Sequence, residues 1–331
     1  MKNKIFKSNP DLQFIRNDIK GNLFIDGKYV LKEEKDKQPL GKFLKWISSK
    51  NPQKTEKKQD TFIPELIKND TFTHSSIDKI VWLGHSSFYI QINKVRILTD
   101  PVFYSLTPLL KRKHKLPCTI DEIKNIDYIL LSHGHRDHLD VSSLRKILLY
   151  NPTVEILCPL GFKKMLASIG FKKIQEAAWW QQYIVNKLDI TFLPAKHWNR
   201  RFITDYNKTL WGSFAIKSKN TSLYFAGDTG FDAHFEEIHK YFSSFDICLM
   251  PVGAYKPRYI MKWAHVSPEE AVQAFNILHG KIFIPMHYGT FDLSDEPASE
   301  PVKILKHLER ENEINGDIEI LAVGEEFYIK H

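Results

Sequence analysis

The feature that most constrains this chain is the stretch Ser132–His138, which reads Ser-His-Gly-His-Arg-Asp-His. It directly follows the apolar run Asp127–Leu131, which we predict to be a buried strand that ends at the stretch. Four potential metal ligands then lie in one loop at the carboxyl end of a strand: His133, His135, Asp137 and His138. Imidazole and carboxylate ligands suit zinc and, less selectively, iron or manganese. A polar surface loop rarely collects three of a chain's 14 histidines, so we interpret it as a metal-binding loop.

Further ligands are expected at other strand ends, because one loop cannot complete the coordination of two ions. Three later residues follow apolar runs in the same way: His197, Asp228 and His287. Taken singly, such residues are more often core histidines or aspartates of Asx turns. Four strand-end sites together favour a metal centre assembled from distant parts of the chain.

These residues resemble the metallo-β-lactamase superfamily, in which a His-x-His-x-Asp-His loop is followed by a His, an Asp and a final His. Within it, the chain is similar to the branch that contains N-acyl-phosphatidylethanolamine-hydrolysing phospholipase D. The resemblance covers about Lys79 to the carboxyl terminus, and the further matching segments are Trp82–Ser87, Leu98–Phe103, Pro194–Trp198, Gly227–Gly230, Gly253–Arg258, His265–Ala271 and His287–Phe291. The chain departs from the branch at Tyr288, where Trp is usual, and at Ser267, where Asp is common.

The resemblance implies an α/β fold, the metallo-β-lactamase αββα sandwich. We predict a hydrolase domain over residues 77–331 and a basic N-terminal extension over residues 1–76. The alternating strand and helix signals after residue 79 fit this fold, and Ser267-Pro268-Glu269-Glu270 predicts a helix that begins at Ser267. In the extension, Asp26-Gly27 predicts a hairpin. The segment Pro39–Lys50 has helical spacing and is interpreted as an interfacial helix or as a helix docked on the core.

The resemblance also implies the ligand sets. One zinc ion would be held by His133, His135 and His197, a second by Asp137, His138 and His287, and Asp228 would bridge the two. Iron or manganese are alternatives to zinc.

The implied catalytic residues are Asp137, Asp228 and His265, of which His265 would protonate the leaving alkoxide or hold the phosphate. His85 has no place in this set and is expected to be structural or to contact a ligand. Lys256 and Arg258 are further candidates for phosphate contacts.

The implied reaction is phospholipase D-type hydrolysis of N-acyl-phosphatidylethanolamine to an N-acylethanolamine and phosphatidic acid, through a hydroxide shared by two metal ions. A lactonase, or a phosphodiesterase for a small soluble phosphate compound, is the second interpretation. A non-catalytic, metal-bound membrane adaptor is a third, which the complete ligand set disfavours. Several aromatic residues could line an acyl groove, although packing in the core is the commoner use: Trp179, Trp180, Trp198, Tyr255 and Tyr259.

Charge and composition bear on partners and location. The first 60 residues carry 15 Lys plus Arg against eight Asp plus Glu, which accounts for most of the net charge of +8. This extension could meet an anionic membrane or could simply be a solvated surface. The basic loop Tyr104–Leu116 is either a candidate lid for an anionic substrate or merely an exposed loop.

Several other classes of location and partner are disfavoured. No nucleic-acid-binding motif occurs, so we expect no nucleic-acid partner. The resemblance implies a homodimer. Without an apolar run of membrane-spanning length or a signal-peptide core, we predict a cytoplasmic protein, either free or peripheral on the inner face of a membrane. The three widely spaced cysteines are predicted to be free thiols.

Overall fold

The protein consists of two mixed β-sheets that face each other, with helices on their outer faces. This computed structural model describes residues 4–31, 41, 45–46 and 48–330. The layer order is the αββα sandwich that the sequence predicts.

A small antiparallel sheet precedes the sandwich and consists of β1 (Lys4–Lys7), β2 (Asn22–Ile25) and β3 (Lys28–Tyr29). The predicted hairpin is confirmed: Ile25 pairs with Lys28 across Asp26 and Gly27, whose φ angles are 49° and 80°. Helix α1 (Lys54–Gln59) follows. Most of the predicted helix over Pro39–Lys50 lies outside the described residues.

The first large sheet has seven strands, in the order β16-β4-β5-β6-β7-β8-β9. Its strands are β4 (Lys79–Gly84), β5 (Ser87–Ile92), β6 (Val95–Thr99), β7 (Tyr128–Leu130), β8 (Glu155–Pro159), β9 (Lys173–Ala177) and β16 (Glu326–Tyr328). The pairs from β16 to β6 are antiparallel, and those from β6 to β9 are parallel.

The second sheet repeats this scheme with six strands, in the order β10 to β15. They are β10 (Asp189–Leu193), β11 (Ser213–Lys217), β12 (Ser222–Phe225), β13 (Phe245–Pro251), β14 (Gly280–Met286) and β15 (Asp317–Ile318). The pairs from β10 to β12 are antiparallel and the rest are parallel. Strands β4, β6 and β7 therefore run in one direction in the first sheet, as do β10, β12 and β14 in the second.

Helices cover both outer faces. They are α2 (Val141–Tyr150), α3 (Lys163–Ile169), α4 (His234–Phe242), α5 (Arg258–Met261), α6 (Pro268–Ile277) and α7 (Glu300–Arg310), with a 3₁₀ turn at Ile120–Glu122. Ser267 caps α6 and Glu270 completes the capping box, as predicted. Within the described part of the chain, no helix is long and apolar enough to cross a membrane.

Alternation along the strands explains why the first sheet can be covered on both sides. In β4, Ile80 and Trp82 belong to the core between the sheets, whereas Val81 and Leu83 pack in a second cluster with Leu144 of α2. Successive strand residues point to opposite faces, so a strand buried on both sides must be apolar throughout.

The residues before the sandwich pack on it. The backbone N–H of Asn9 donates to Gln181 Oε1 at 3.0 Å, and the N–H of Ile67 donates to the Val323 carbonyl at 2.8 Å. Leu12 is buried in the core between the sheets. The division of the chain at residue 77 stays a prediction.

Candidate metal centre

Strand direction brings the candidate ligands to one edge of the sandwich. The Ser132–His138 loop follows β7, and the other predicted ligands follow β10, β12 and β14, at His197, Asp228 and His287. Because these strands run the same way within their sheets, their carboxyl ends meet. Gly227, with φ of 58°, lets the chain pass close to the loop, since a Cβ at this position would lie 2.8 Å from the Ser132 Cβ.

The first cluster consists of three imidazoles and one carboxylate. His135 Nδ1 lies 2.9 Å from His133 Nε2 and 3.1 Å from His197 Nε2. Asp228 Oδ2 is 3.9 Å from the Nε2 atoms of both His133 and His197. These four side chains converge on one point, as ligands of a single ion would.

The second cluster consists of Asp137, His138 and His287, with His85 beside them. Asp137 Oδ2 lies 3.6 Å from both His138 Nε2 and His287 Nε2. Asp228 reaches this cluster too, with Oδ2 3.2 Å from His138 Nε2 and Oδ1 3.1 Å from His287 Nε2. The Asp228 carboxylate thus lies within 4 Å of ligand atoms of both clusters.

The unpaired polar atoms of the site fit metal ions. His138 Nε2, His287 Nε2 and Asp228 Oδ1 are buried, and none of them makes a hydrogen bond, although the two imidazoles lie 3.1–3.2 Å from the Asp228 carboxylate. Buried polar atoms are normally paired, and a buried carboxylate is costly without a compensating charge. A divalent cation at each cluster would satisfy these atoms, and the imidazole and carboxylate donors suit zinc, iron or manganese.

The electrostatics agree with ligand protonation states. Burial alone would raise the pKa of Asp228, yet His138 and His287 hold it well below its usual value. Burial and the neighbouring histidines lower the pKa of His133 and His197 well below the usual range, and burial above all lowers that of His135 to about 4. At neutral pH these groups are a carboxylate and neutral imidazoles, the forms that bind metal.

The second cluster differs in its charge. Burial alone would lower the pKa of His287, but the Asp228 and Asp137 carboxylates raise it to about 9. The pKa of His138 is raised in the same way. Its burial would lower the pKa, but the Asp228 and Asp137 carboxylates raise it well above the usual value. A proton on each imidazole compensates the two carboxylates, which is the role that a metal ion would take over.

Outer hydrogen bonds orient the ligands. His138 Nδ1 donates to Asp100 Oδ2 at 2.7 Å, and the Ser132 hydroxyl donates to the same oxygen at 2.5 Å. His133 Nδ1 lies 2.9 Å from Ser132 Oγ, and His197 Nδ1 donates to the Ala264 carbonyl at 2.9 Å. With Nδ1 occupied, each ring presents Nε2 to the centre.

Asp100 contacts two residues of the metal-binding loop and was not assigned a role from the sequence. It is fully buried and directly follows β6, so the signal was the same strand-end position that identified the ligands. Its backbone has a φ of 33°, and its Oδ1 accepts the Ser132 N–H at 2.7 Å. It therefore holds both ends of the metal-binding loop.

His85 contacts a predicted ligand. Its Nε2 lies 3.2 Å from Asp137 Oδ2, and its ring centroid is 4.0 Å from that of His287. Its N–H donates to Thr290 Oγ1 at 2.7 Å, and its φ is 54°. This arrangement places the imidazole against Asp137 and makes His85 part of the second cluster's surroundings.

His265 lies beside the clusters, and its side chain is more accessible than that of its neighbour Asp228. Its Nδ1 is 3.8 Å from Asp228 Oδ2, and its side chain is 15% exposed against 1% for Asp228. Arg258 holds its backbone, donating to the His265 carbonyl at 2.9 Å and to Glu270 Oε2 at 2.6 Å. Burial lowers the pKa of His265 to about 4, so the ring is neutral at pH 7.

Other candidate residues have structural contacts. Lys256 pairs with Glu300 at 2.6 Å, and the Tyr255 hydroxyl donates to the same carboxylate. In the predicted lid, Arg112 points inward and donates to the Val102 carbonyl at 2.7 Å. Trp198 packs against the site, with its ring centroid 4.5 Å from that of His135.

Most of the aromatic residues predicted for an acyl groove also have structural contacts. Trp180 and Tyr255 are buried, Trp179 packs against the core between the sheets, and Tyr259 is partly exposed. The residues described here therefore place three of the five in or against packed regions, and only Trp198 touches a predicted ligand.

The three cysteines are free, as predicted.

Comparison with known proteins agrees with this geometry. Residues 95–288 match the model of the β-lactamase superfamily domain. The chain is 33% identical to N-acyl-phosphatidylethanolamine-hydrolyzing phospholipase D 1 of Caenorhabditis elegans, over 80% of this chain and 79% of that protein. It is 35% identical to the mitochondrial N-acyl-phosphatidylethanolamine-hydrolyzing phospholipase D of Saccharomyces cerevisiae, over 69% of this chain and about half (51%) of the yeast protein.

A solved structure shows the same fold. Igni18, a metallo hydrolase from Ignicoccus hospitalis, aligns with a TM-score of 0.60 and 22% identity, over 77% of this chain and 99% of Igni18.

Proposed function

Because this chain belongs to the metallo-β-lactamase superfamily, in the branch of the N-acyl-phosphatidylethanolamine-hydrolysing phospholipases D, we propose that this metal-dependent hydrolase cleaves N-acyl-phosphatidylethanolamine. The products would be an N-acylethanolamine and phosphatidic acid. The main support for the proposal is that the Asp228 carboxylate contacts both ligand clusters. A residue in this position fits a site for two metal ions rather than one.

When bound, two zinc ions would supply Lewis acidity that activates a water molecule and polarises a phosphoryl oxygen. The charges favour an anionic substrate, since the ligands include two carboxylates against the four positive charges of two divalent ions. A phosphodiester carries one negative charge and would be attracted to the remaining positive charge.

The chain's own residues would position the substrate and handle its proton. His265 is partly accessible, and its Nδ1 has no hydrogen-bond partner. A neutral imidazole here can donate a hydrogen bond to the phosphate or to the leaving oxygen. The Asp137 and Asp228 carboxylates would supply negative charge to the metal positions. Asp100 and Ser132 would keep the Nε2 atoms of His138 and His133 directed at these positions.

A lipid substrate also bears on location. N-acyl-phosphatidylethanolamine is a component of a bilayer, so the enzyme would act as a cytoplasmic protein that associates peripherally with a membrane. The named relatives in worm and yeast support a phospholipid substrate for this branch.

Product analysis tests the proposal. Metal-loaded protein is incubated with N-acyl-phosphatidylethanolamine dispersed in detergent, and the lipids are identified by mass spectrometry. Asp228→Asn is the inactive control. Asp232→Asn is the active control, because the Asp232 carboxylate is partly exposed and pairs with Lys196 at 2.9 Å. We expect N-acylethanolamine and phosphatidic acid from the natural protein and from Asp232→Asn only. Turnover of a soluble phosphodiester or a lactone, with none of the lipid, would contradict the proposed substrate.

A further inference from the structure

A short loop beside the metal centre is rigidly built. We call Asn199–Asn207 the rim loop. Its ends are joined, since the Asn207 N–H donates to the Asn199 carbonyl at 2.8 Å and the Asn199 N–H donates to Asn207 Oδ1 at 2.9 Å. Inside it, Asp205 Oδ1 accepts the N–H groups of Arg201 at 3.1 Å and Phe202 at 2.8 Å. The loop therefore holds its shape without help from apolar packing at its tip.

The rim loop is fastened to the metal-binding loop. Asn199 Oδ1 accepts the N–H of Gly134, between His133 and His135, at 2.7 Å. Arg201 donates to the carbonyls of Gly134 at 2.8 Å and Leu139 at 2.7 Å. The base of the rim loop thus contacts the metal-binding loop directly.

The tip presents two adjacent apolar side chains to solvent. Ile203 is 91% exposed and Phe202 is 60% exposed. Single exposed apolar residues are ordinary on protein surfaces. Two adjacent apolar side chains on a loop that contacts the metal-binding loop are less ordinary, because the hydrogen bonds of the loop hold both side chains out in solvent.

A second apolar tip lies on another loop fastened to the same site. Leu109 is 94% exposed in the loop Tyr104–Leu116. In that loop the Lys113 N–H donates to the Thr290 carbonyl at 2.9 Å, and Thr290 Oγ1 in turn accepts the N–H of His85. Both tips are therefore attached to the strand ends that carry the metal centre.

Basic residues surround both tips. Arg200 is exposed within the rim loop and Arg136 is exposed near Arg201, whereas Lys111 and Lys113 are exposed in the loop that carries Leu109. The basic N-terminal extension contacts the rim loop, since the Tyr29 N–H donates to the Asn207 carbonyl at 2.7 Å. Its positive charge therefore adds to that of the rim loop. Apolar tips among Lys and Arg match a bilayer that carries anionic lipid, whose headgroups attract the cations while the acyl region accepts the apolar side chains.

We propose that Phe202 and Ile203, together with Leu109, insert into an anionic phospholipid bilayer and set the metal centre against its surface. This inference deepens the proposed function and rests on it for the lipid substrate. It assigns membrane docking to the rim of the site, with the basic extension as a neighbour that strengthens it, and not to the extension alone.

Vesicle co-sedimentation tests the proposal with the full-length, metal-loaded protein. The vesicles contain phosphatidylcholine alone or with 30% phosphatidylglycerol, roughly the anionic content at which basic segments bind well. The variant is the double substitution Phe202→Ser with Ile203→Ser. The matched control is Ile184→Ser, which is 68% exposed and lies near Asn186, whose N–H donates to the Tyr128 hydroxyl at the opposite end of β7.

We expect the double variant to partition into anionic vesicles about tenfold more weakly, whereas Ile184→Ser binds like the natural protein. Replacing Arg200 by Gln should weaken binding to anionic vesicles about fivefold and leave binding to neutral vesicles unchanged. Thermal unfolding midpoints within about 2 °C of the natural protein would show that the variants are folded.

Two results would overturn the proposal. One is equal vesicle binding by the double variant and the natural protein. The other is that the substitutions abolish self-association in analytical ultracentrifugation while vesicle binding persists, which would make the tip a contact between copies of the chain. Vesicle binding through the tips without hydrolysis of detergent-dispersed lipid would instead contradict the proposed function alone.

Discussion

Asp228 contacts both ligand clusters, and we propose that it bridges the two metal positions. Replacing it with Asn keeps the shape but removes the charge that faces His138 and His287. We expect hydrolysis to fall by at least about a thousandfold, because removal of one preorganised charge can cost this much. Metal content measured by inductively coupled plasma mass spectrometry should fall below two ions per chain. Full activity or full metal content in this variant would refute the bridging role.

Asp100 should act through the ligand that it orients. Asp100→Asn removes the carboxylate that accepts from His138 Nδ1 and from the Ser132 hydroxyl. Changes to such outer partners typically weaken metal affinity about 10- to 100-fold. Competition with a fluorescent chelator measures this affinity.

Asp140→Asn is the matched control for that experiment. Asp140 follows the same loop but caps α2, accepting the N–H groups of Ser142 and Ser143. It should lose about 1 kcal/mol of stability at most and keep its metal affinity. Equal losses of affinity in both variants would mean that Asp100 acts only by supporting the fold.

At the residue scale, the sequence identifies side chains better than it identifies their surroundings. His133, His135 and Asp137 were predictable because they share one loop, and His197 and His287 because each ends an apolar run. Asp100 was not assigned, because its partnership with Ser132 depends on the parallel pairing of β6 with β7. His85 was expected to be structural or to contact a ligand, and its imidazole lies 3.2 Å from the Asp137 carboxylate.

At the scale of elements, β16 is held to the edge of the first sheet by a buried ion pair. Lys79 Nζ lies 2.5 Å from Glu326 Oε2, and Asn69 donates to the other carboxylate oxygen at 2.8 Å. Glu326→Gln leaves the buried Lys79 without its countercharge, so we expect about 2 kcal/mol of destabilisation in urea unfolding. Lys281→Met, at the more exposed pair with Asp246, should cost less than about 1 kcal/mol.

The same pair predicts how stability varies with pH. Burial alone would raise the pKa of Glu326, but Lys79 and Asn69 lower it below the usual value. The stabilisation is therefore complete above the carboxyl's normal pKa and is lost as the pH falls through the lower, folded-state value. The natural protein should lose more stability than Glu326→Gln on acidification over this range, and parallel curves would contradict the assignment.

Elements with local signals were predictable and those that depend on distant pairing were not. Helix α6 begins where its capping box predicts, with Ser267 as its N-cap. Strands β15 and β16 have two and three residues, too few to show a hydrophobic period, and exist because β14 and β4 offer them an edge. Helix α7 was not predicted, although Pro301 lies in its first turn.

At the scale of the whole molecule, the metal centre should stabilise the sandwich. Its ligands come from loops that follow strands of both sheets, so an ion that binds only the folded state connects them. A ligand at 100 times its dissociation constant contributes about 2.7 kcal/mol. Removing metal with a chelator should lower the thermal midpoint by about 4 °C, and added Zn²⁺ should restore it. In Asp228→Asn the shift should be smaller, whereas an unchanged midpoint in the natural protein would show that the ligands bind no ion.

The most direct test of the account is to follow the oxygen of water into the products. The protein is incubated with N-acyl-phosphatidylethanolamine in water enriched in ¹⁸O, and both products are analysed by mass spectrometry. We predict one ¹⁸O atom in the phosphate of phosphatidic acid and none in the N-acylethanolamine, because attack occurs at phosphorus. Label in the N-acylethanolamine, or in a released fatty acid, would contradict phosphodiester hydrolysis at this centre.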